Sequence, residues 1–124
     1  MERGSMKMPK PTPEATEAFR SLVPAAAGVT LRPMFGNLAA FVNGNMFAGL
    51  FGEDLFVRLP DSESAEVKRE GGRDFEPMAG RAMKGYVVVP DGWRGGSPSV
   101  VRLLERALQV TGQLPAKESK PRRK

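Results

Sequence analysis

Residues 29–60 read V-T-L-R-P-M-F-G-N-L-A-A-F-V-N-G-N-M-F-A-G-L-F-G-E-D-L-F-V-R-L-P. Apolar runs of strand length alternate here with two turn-forming groups, Asn43-Gly44 and Gly52-Glu53. Such groups between apolar runs are typical of β-hairpins. Three strands are therefore predicted at residues 38–42, 45–51 and 54–59. A shorter strand over residues 30–35 is predicted at a sheet edge, because Pro33 cannot donate a hydrogen bond to a ladder.

Helix signals lie on both sides of this block. Thr12-Pro13 and Ser97-Pro98 each combine an N-cap residue with proline at the first helical position. They predict a first helix of about three turns that ends near Pro24, and a last helix that ends near residue 112. A helix over residues 62–70 and a strand over residues 83–89 lie between. The prediction is a two-layer α+β fold, with an antiparallel sheet of four to five strands, helices at both ends and the order α-β4-α-β-α.

Two-residue turns would fix the register of the hairpins. They predict four facing pairs: Phe41 with Met46, Ala39 with Ala48, Leu50 with Leu55, and Ala48 with Val57. One face of the sheet is then wholly apolar, and the other carries aromatic residues and a cation: Phe47, Phe51, Phe56 and Arg58. Because antiparallel sheets usually leave one face polar, this second face needs a cover, which is either a helix or a partner. The four residues are the predicted partner or dimer surface, with a stacking platform for single-stranded nucleic acid as the alternative.

The composition removes most kinds of chemistry. The chain has neither cysteine nor histidine, so disulfides, thiolate nucleophiles, imidazole bases and Cys- or His-ligated metals are excluded. Glu53 and Asp54 are interpreted as turn formers, and the glycine-rich segment 80–85 lacks the spacing of a Walker A loop. No catalytic residue, cofactor or metal site is predicted. We expect a cytoplasmic protein with no membrane-spanning segment.

The net charge of +5 is concentrated at the chain ends. Residues 115–124 form a predicted disordered tail that carries five cations: Lys117, Lys120, Arg122, Arg123 and Lys124. Residues 1–12 are predicted to be disordered as well. The tail is a candidate electrostatic contact for nucleic acid, or else a solubilising end.

The motifs of the central block resemble the N-terminal domain of the TfoX/Sxy family, the bacterial competence regulators. The resemblance rests on Arg32, Met34-Phe35-Gly36, the segments 41–44 and 46–48, and Leu55-Phe56-Val57-Arg58. The segment 86–90 and the last helix complete the pattern, and Asn37 stands where the family has a second glycine. The matching domain spans residues 13–114.

The resemblance implies a compact α+β domain without catalytic residues to transfer. It favours a non-enzymatic interaction module in transcription-related regulation, which binds a protein partner or a second copy of itself. The alternative function is weak, sequence-nonspecific nucleic-acid binding through the basic tail. A small enzyme is the least favoured interpretation, because no convergent polar groups are evident.

Overall fold

A computed structural model describes residues 11–34, 37–77 and 80–115. The elements are α1 (Pro13–Leu22), β1 (Val29–Met34), β2 (Asn37–Val42), β3 (Asn45–Phe51), β4 (Asp54–Arg58), α2 (Asp61–Arg69), β5 (Arg73–Asp74), β6 (Tyr86–Val88), a 3₁₀ helix (Trp93–Gly95) and α3 (Pro98–Gly112). The sheet is antiparallel and has the strand order β1-β2-β3-β4-β6-β5. The α+β class and the terminal helices are confirmed. The described residues contain six strands rather than four to five, because the two-residue β5 joins the edge beside β6.

Local sequence signals explain the ends of the helices and the first turn. Thr12 Oγ1 accepts a hydrogen bond from the Ala15 N–H at 3.1 Å, and Ser97 Oγ accepts one from Val100 at 3.4 Å. Both predicted N-caps are therefore confirmed. Asn43 and Gly44 both have positive φ, as the predicted two-residue turn requires.

The main core lies between one face of the sheet and the helices. Helices α1 and α3 pack on this face against the central strands, and α2 packs against β6. The largest of the fully buried side chains in this core are Phe19, Phe47, Leu55 and Leu104. Helix α2 buries only Val67.

A β-bulge changes the predicted register of the β2–β3 hairpin. Phe41 pairs with Met46 as predicted, but Ala40, not Ala39, faces Ala48, and Ala39 faces Gly49. One extra residue in β3 therefore lies between these pairs, and an extra residue inverts which side chains reach each face. The predicted pairing of Ala39 with Ala48 is wrong for this reason. The predicted pairs across β3 and β4, Leu50 with Leu55 and Ala48 with Val57, are confirmed.

The outer edge of β1 offers few backbone donors. Asn43 N–H donates to the Gly28 carbonyl at 3.0 Å, which sets the alternation of the ladder between β1 and β2. By that alternation, Val29, Leu31 and Pro33 direct their backbone groups away from β2. Val29 N–H already donates to the Ala26 carbonyl, and proline has no N–H. Of the outward backbone groups of β1, Leu31 therefore supplies the one N–H that is not already hydrogen-bonded.

Candidate partner-binding surface

The sheet face opposite the helices, called the outer face below, is apolar and aromatic. Strand pairing and contacts place these residues on it: Ala39, Phe41, Met46, Gly49, Phe51, Phe56, Arg58, Tyr86 and Val88. Three of the four predicted surface residues, Phe51, Phe56 and Arg58, therefore share this face.

The fourth predicted residue, Phe47, is not on the outer face. Its side chain is 0 % exposed and belongs to the main core beneath the helices. The bulge explains the difference, because Phe47 is the extra residue of β3 and points to the same side as Ala48. The prediction that Phe47 contributes to a partner surface is wrong.

The rings on the outer face are covered by Phe75, which follows β5. The Phe75 ring stacks on Phe56 with 4.1 Å between centroids, and it meets Phe51 edge-on at 5.6 Å. On its other side the Phe56 ring lies against Gly49, where an added Cβ would be 2.6 Å from the ring. Phe56 and Phe75 are each 5 % exposed. Phe75 therefore covers Phe56, so neither of the covers expected from the sequence, a helix or a partner, is needed there. The Phe56 ring is also inaccessible to a stacking base.

Two ion pairs hold this cover in place. Arg73 contacts Asp54 at 2.7 Å, and Lys68 of α2 donates to Asp74 at 2.9 Å. The Met83 N–H donates to the Phe75 carbonyl at 2.8 Å, so the returning chain is tied to the covering residue. The backbone around Phe75 is therefore held in place by the two ion pairs before it and by the hydrogen bond to its own carbonyl.

Beside the covered rings an apolar groove stays open. Its lining residues are Met34, Asn37, Ala39, Met46, Leu50, Phe51, Phe56, Phe75, Pro77 and Met83. The groove has a volume of about 70 Å³. Met83 is 38 % exposed and is the large apolar side chain that the described residues leave most open to solvent. An open apolar groove of this kind is typical of an interaction surface.

Arginine side chains flank the groove on two strands. Arg32 of β1 lies over the Phe41 ring at 4.3 Å, and it pairs with Ala39, which lines the groove. Arg58 lies over the Tyr86 ring at 5.6 Å and donates to the Tyr86 hydroxyl at 3.3 Å. That hydroxyl in turn donates to the Met46 carbonyl at 3.2 Å. Stacking on aromatic faces holds both guanidinium groups in place while they remain charged.

Asn37 holds one end of the groove, a role that the sequence reasoning missed. Its side chain is buried, and its Oδ1 accepts a hydrogen bond from the Gly52 N–H at 3.0 Å. The start of β2 is thereby tied to the turn between β3 and β4. The only signal in the sequence was the replacement of a family glycine by a residue with a hydrogen-bonding side chain.

Glu53 connects three parts of the fold through its carboxylate and its carbonyl. Its carboxylate accepts hydrogen bonds from Thr12, from the backbone N–H at 2.7 Å and from the hydroxyl at 3.3 Å, and it also pairs with Arg94. The Glu53 carbonyl accepts from Trp93 Nε1 at 3.0 Å. The backbone hydrogen bond from Thr12 is the main reason that the pKa of Glu53 lies below its ordinary value. The turn thus connects the start of α1 with the 3₁₀ helix.

A second groove lies between α2 and α3 and is mixed in charge. Arg106 holds Glu63 through two hydrogen bonds of 2.8 and 2.7 Å. This pairing lowers the pKa of Glu63 and raises that of Arg106. Glu66, Glu70 and Arg102 line the same groove, so both signs of charge are present and no single ligand chemistry is favoured.

Other candidate features of the sequence lie partly inside and partly outside the described residues. Among the described residues no group of three or more carboxylates could hold a metal ion. Gly80 and Gly85 have positive φ, and an added Cβ would meet nothing at either position, so backbone conformation accounts for these glycines. The five tail cations, Phe35 and Gly36 lie outside the described residues. No helix within the described ranges is long and apolar enough to cross a membrane.

The fold is an α+β domain with an open antiparallel sheet, helices on one face and an aromatic cluster on the other. The family model of the TfoX N-terminal domain matches residues 21–111, which is most of the chain. The chain therefore belongs to the TfoX N-terminal domain family and is a competence-related regulatory domain. No curated protein matches the chain.

Proposed function

We propose that this chain is a non-enzymatic interaction module that acts in transcription-related regulation in the bacterial cytoplasm. Family membership supports a regulatory role. The observation that carries the binding role is the open apolar groove beside Met83, on a face where the neighbouring rings are already covered. A protein partner or a second copy of the chain would bury this groove.

The experiment is transcript profiling of a strain that lacks the gene and is complemented with variants. Met83→Glu places a charge at the mouth of the groove, and Arg102→Glu, at an exposed position of α3, is the matched control. We expect wild type and the control to restore the transcript profile and Met83→Glu to fail. Circular dichroism of the purified variants checks that the fold is intact.

Two outcomes would contradict the proposal. Full restoration of the transcript profile by Met83→Glu would exclude the groove as the binding site. An unchanged transcript profile in the deletion strain would exclude the regulatory role. Light scattering on the wild-type chain then separates the two kinds of partner. A dimer mass that Met83→Glu reduces to that of a monomer would identify a second copy as the partner.

The charge run of the tail favours nucleic-acid binding as a second candidate. The described part of the chain has eleven Lys and Arg against twelve Asp and Glu, a net charge of −1, so affinity would have to come from the tail. Binding to a DNA duplex is measured at two salt concentrations, for the full chain and for a chain ending at residue 116. Each phosphate contact made by the tail adds about 0.9 to the log–log salt slope, and undiminished binding by the shorter chain would contradict the tail mechanism.

A further inference from the structure

The cations around the groove differ from those elsewhere in the described residues. Lys68, Arg73, Arg94 and Arg106 each contact a carboxylate within 3 Å, and Arg69 contacts Glu66 at 3.9 Å. The cations of the described ranges without a carboxylate partner are Arg20, Arg32, Arg58, Arg81, Lys84 and Arg102. Four of these six adjoin the groove, which makes its rim positive although the described part of the chain is slightly acidic.

Strand pairing, hydrogen bonds or chain position place each of these four cations next to a residue that lines the groove. Arg32 pairs with the lining residue Ala39, and Arg58 is joined through Tyr86 to the carbonyl of the lining residue Met46. Arg81 and Lys84 are exposed and lie within two residues of Met83 in the chain.

The acidic groups beside the groove do not neutralise this rim. Asp54 and Asp74 already hold Arg73 and Lys68. Glu76 is exposed and has no cation within ion-pair distance among the described residues. The surroundings of the groove therefore hold four cations without a carboxylate partner and one carboxylate without a cation among the described residues.

The interior of the groove suits an apolar side chain. Three of its lining residues are methionines, Met34, Met46 and Met83, whose flexible and polarizable side chains adapt to different partners. The volume of about 70 Å³ exceeds the roughly 10–15 Å³ that one water molecule needs. An aliphatic group that enters the groove would be held by the apolar lining, and charges next to it would meet the cationic rim.

We infer that the groove binds an acidic peptide segment of a protein partner, with one aliphatic side chain inserted among Met34, Met46 and Met83 and acidic residues on the cationic rim. This inference rests on the proposed interaction function and names the chemistry of the partner. A nucleic acid fits the surface less well, because Phe56 and Phe75 are closed to bases. The peptide lies across the face and does not extend the sheet, because β1 has few free donors.

The test is an NMR titration of the full chain with its methionine methyl groups labelled. The probes are a short peptide of Asp and Glu around a central Leu, the same peptide with Ala for Leu, one with Lys for every acid, and a single-stranded oligonucleotide. We expect the Leu peptide to shift the methyl signals of Met34, Met46 and Met83. The Ala peptide should bind at least about tenfold more weakly, because it lacks three buried carbons. The Lys peptide should not bind.

Charge variants separate the rim from general electrostatic attraction. Arg81→Glu and Lys84→Glu change exposed residues. Each should weaken the binding of the Leu peptide by about threefold to tenfold and reduce the salt dependence of that binding. Arg102→Glu, an exposed cation of α3, should leave the affinity unchanged. Any of three results would overturn the inference. These are equal binding of the Leu and Ala peptides, an equal loss of affinity in Arg102→Glu, and no binding by any peptide.

Tighter binding of the oligonucleotide than of the Leu peptide would also overturn the inference, in favour of nucleic acid. Failure here is distinguishable from failure of the proposed function. A transcript profile that still depends on Met83 would retain the interaction module and reject only the acidic peptide as its partner.

Discussion

Replacing Phe75 by alanine tests whether the outer face is a second core. The ring is 5 % exposed and packs against Phe56, Phe51 and Tyr86. Truncation of a buried phenylalanine typically costs about 3–5 kcal/mol. The lower end, about 3 kcal/mol, is expected because the two-residue β5 that carries the ring can relax into part of the space. A loss of that size would lower Tm by about 10–15 °C in a domain of this length.

Urea denaturation followed by two probes measures this effect. Trp93 is buried in the main core, so its fluorescence reports global unfolding. Hydrogen exchange at Val88, on the outer face beside Phe56, reports local opening of the cover. Glu76→Ala, at the exposed neighbouring residue, is the control and should change stability by less than about 0.5 kcal/mol.

The two probes distinguish two ways in which the Phe75 reasoning could fail. A loss below about 1 kcal/mol in Phe75→Ala, with unchanged exchange at Val88, would refute the idea that the ring is packed cooperatively. Faster exchange with an unchanged Trp93 transition would show that the cover opens locally and contributes little to global stability.

Three further predictions concern single polar groups. Asn37→Ala should cost about 1–3 kcal/mol in urea denaturation, because the Gly52 N–H loses its acceptor. Glu53→Gln should flatten the pH dependence of stability below pH 4.5. The pKa of Glu53 is lowered, mainly by the backbone hydrogen bond from Thr12. The stabilisation from this carboxylate is therefore complete above pH 4.5 and is lost as the pH falls through the folded-state pKa. Thr111→Val should raise Tm, with a gain of up to about 1 kcal/mol, because the buried Thr111 hydroxyl has no hydrogen-bond partner among the described residues.

Each of the three has an outcome that would contradict it. For Asn37→Ala it is a loss no greater than that of Asn45→Ala, whose side chain donates a hydrogen bond to the exposed Pro115 carbonyl. For Glu53→Gln it is an acid transition identical to that of wild type. A lower Tm for Thr111→Val would show that the hydroxyl is better accommodated than its surroundings indicate.

Local signals were enough to predict most of the elements of this domain. The caps at Thr12 and Ser97 and the turn at Asn43-Gly44 depend on neighbours within a few residues, and the structure has each of them. The register across β3 and β4 followed from the length of one turn. Such features can be read from sequence because nothing distant is needed to form them.

The features that shape the outer face depend on distant residues and could not be predicted. The bulge that moves Phe47 into the core is specified by packing against the helices, not by a turn residue. Phe75 follows the shortest strand of the sheet and is placed by two ion pairs that link it to β4 and α2. Because a two-residue strand gives no periodic pattern, the sequence does not predict β5 or the position of Phe75 over Phe56.

The scarcity of donors along β1 has a consequence for how this domain could assemble. Leu31 has the one outward N–H in β1 that is not already hydrogen-bonded, so a second molecule cannot add a regular strand there without leaving its own carbonyls unmatched. Growth into filaments by edge-to-edge stacking is disfavoured at this end of the sheet. A contact through the outer face needs none of these donors, and a self-complementary face contact closes into a pair related by a twofold axis. The domain can therefore be abundant in a cell without polymerising along β1.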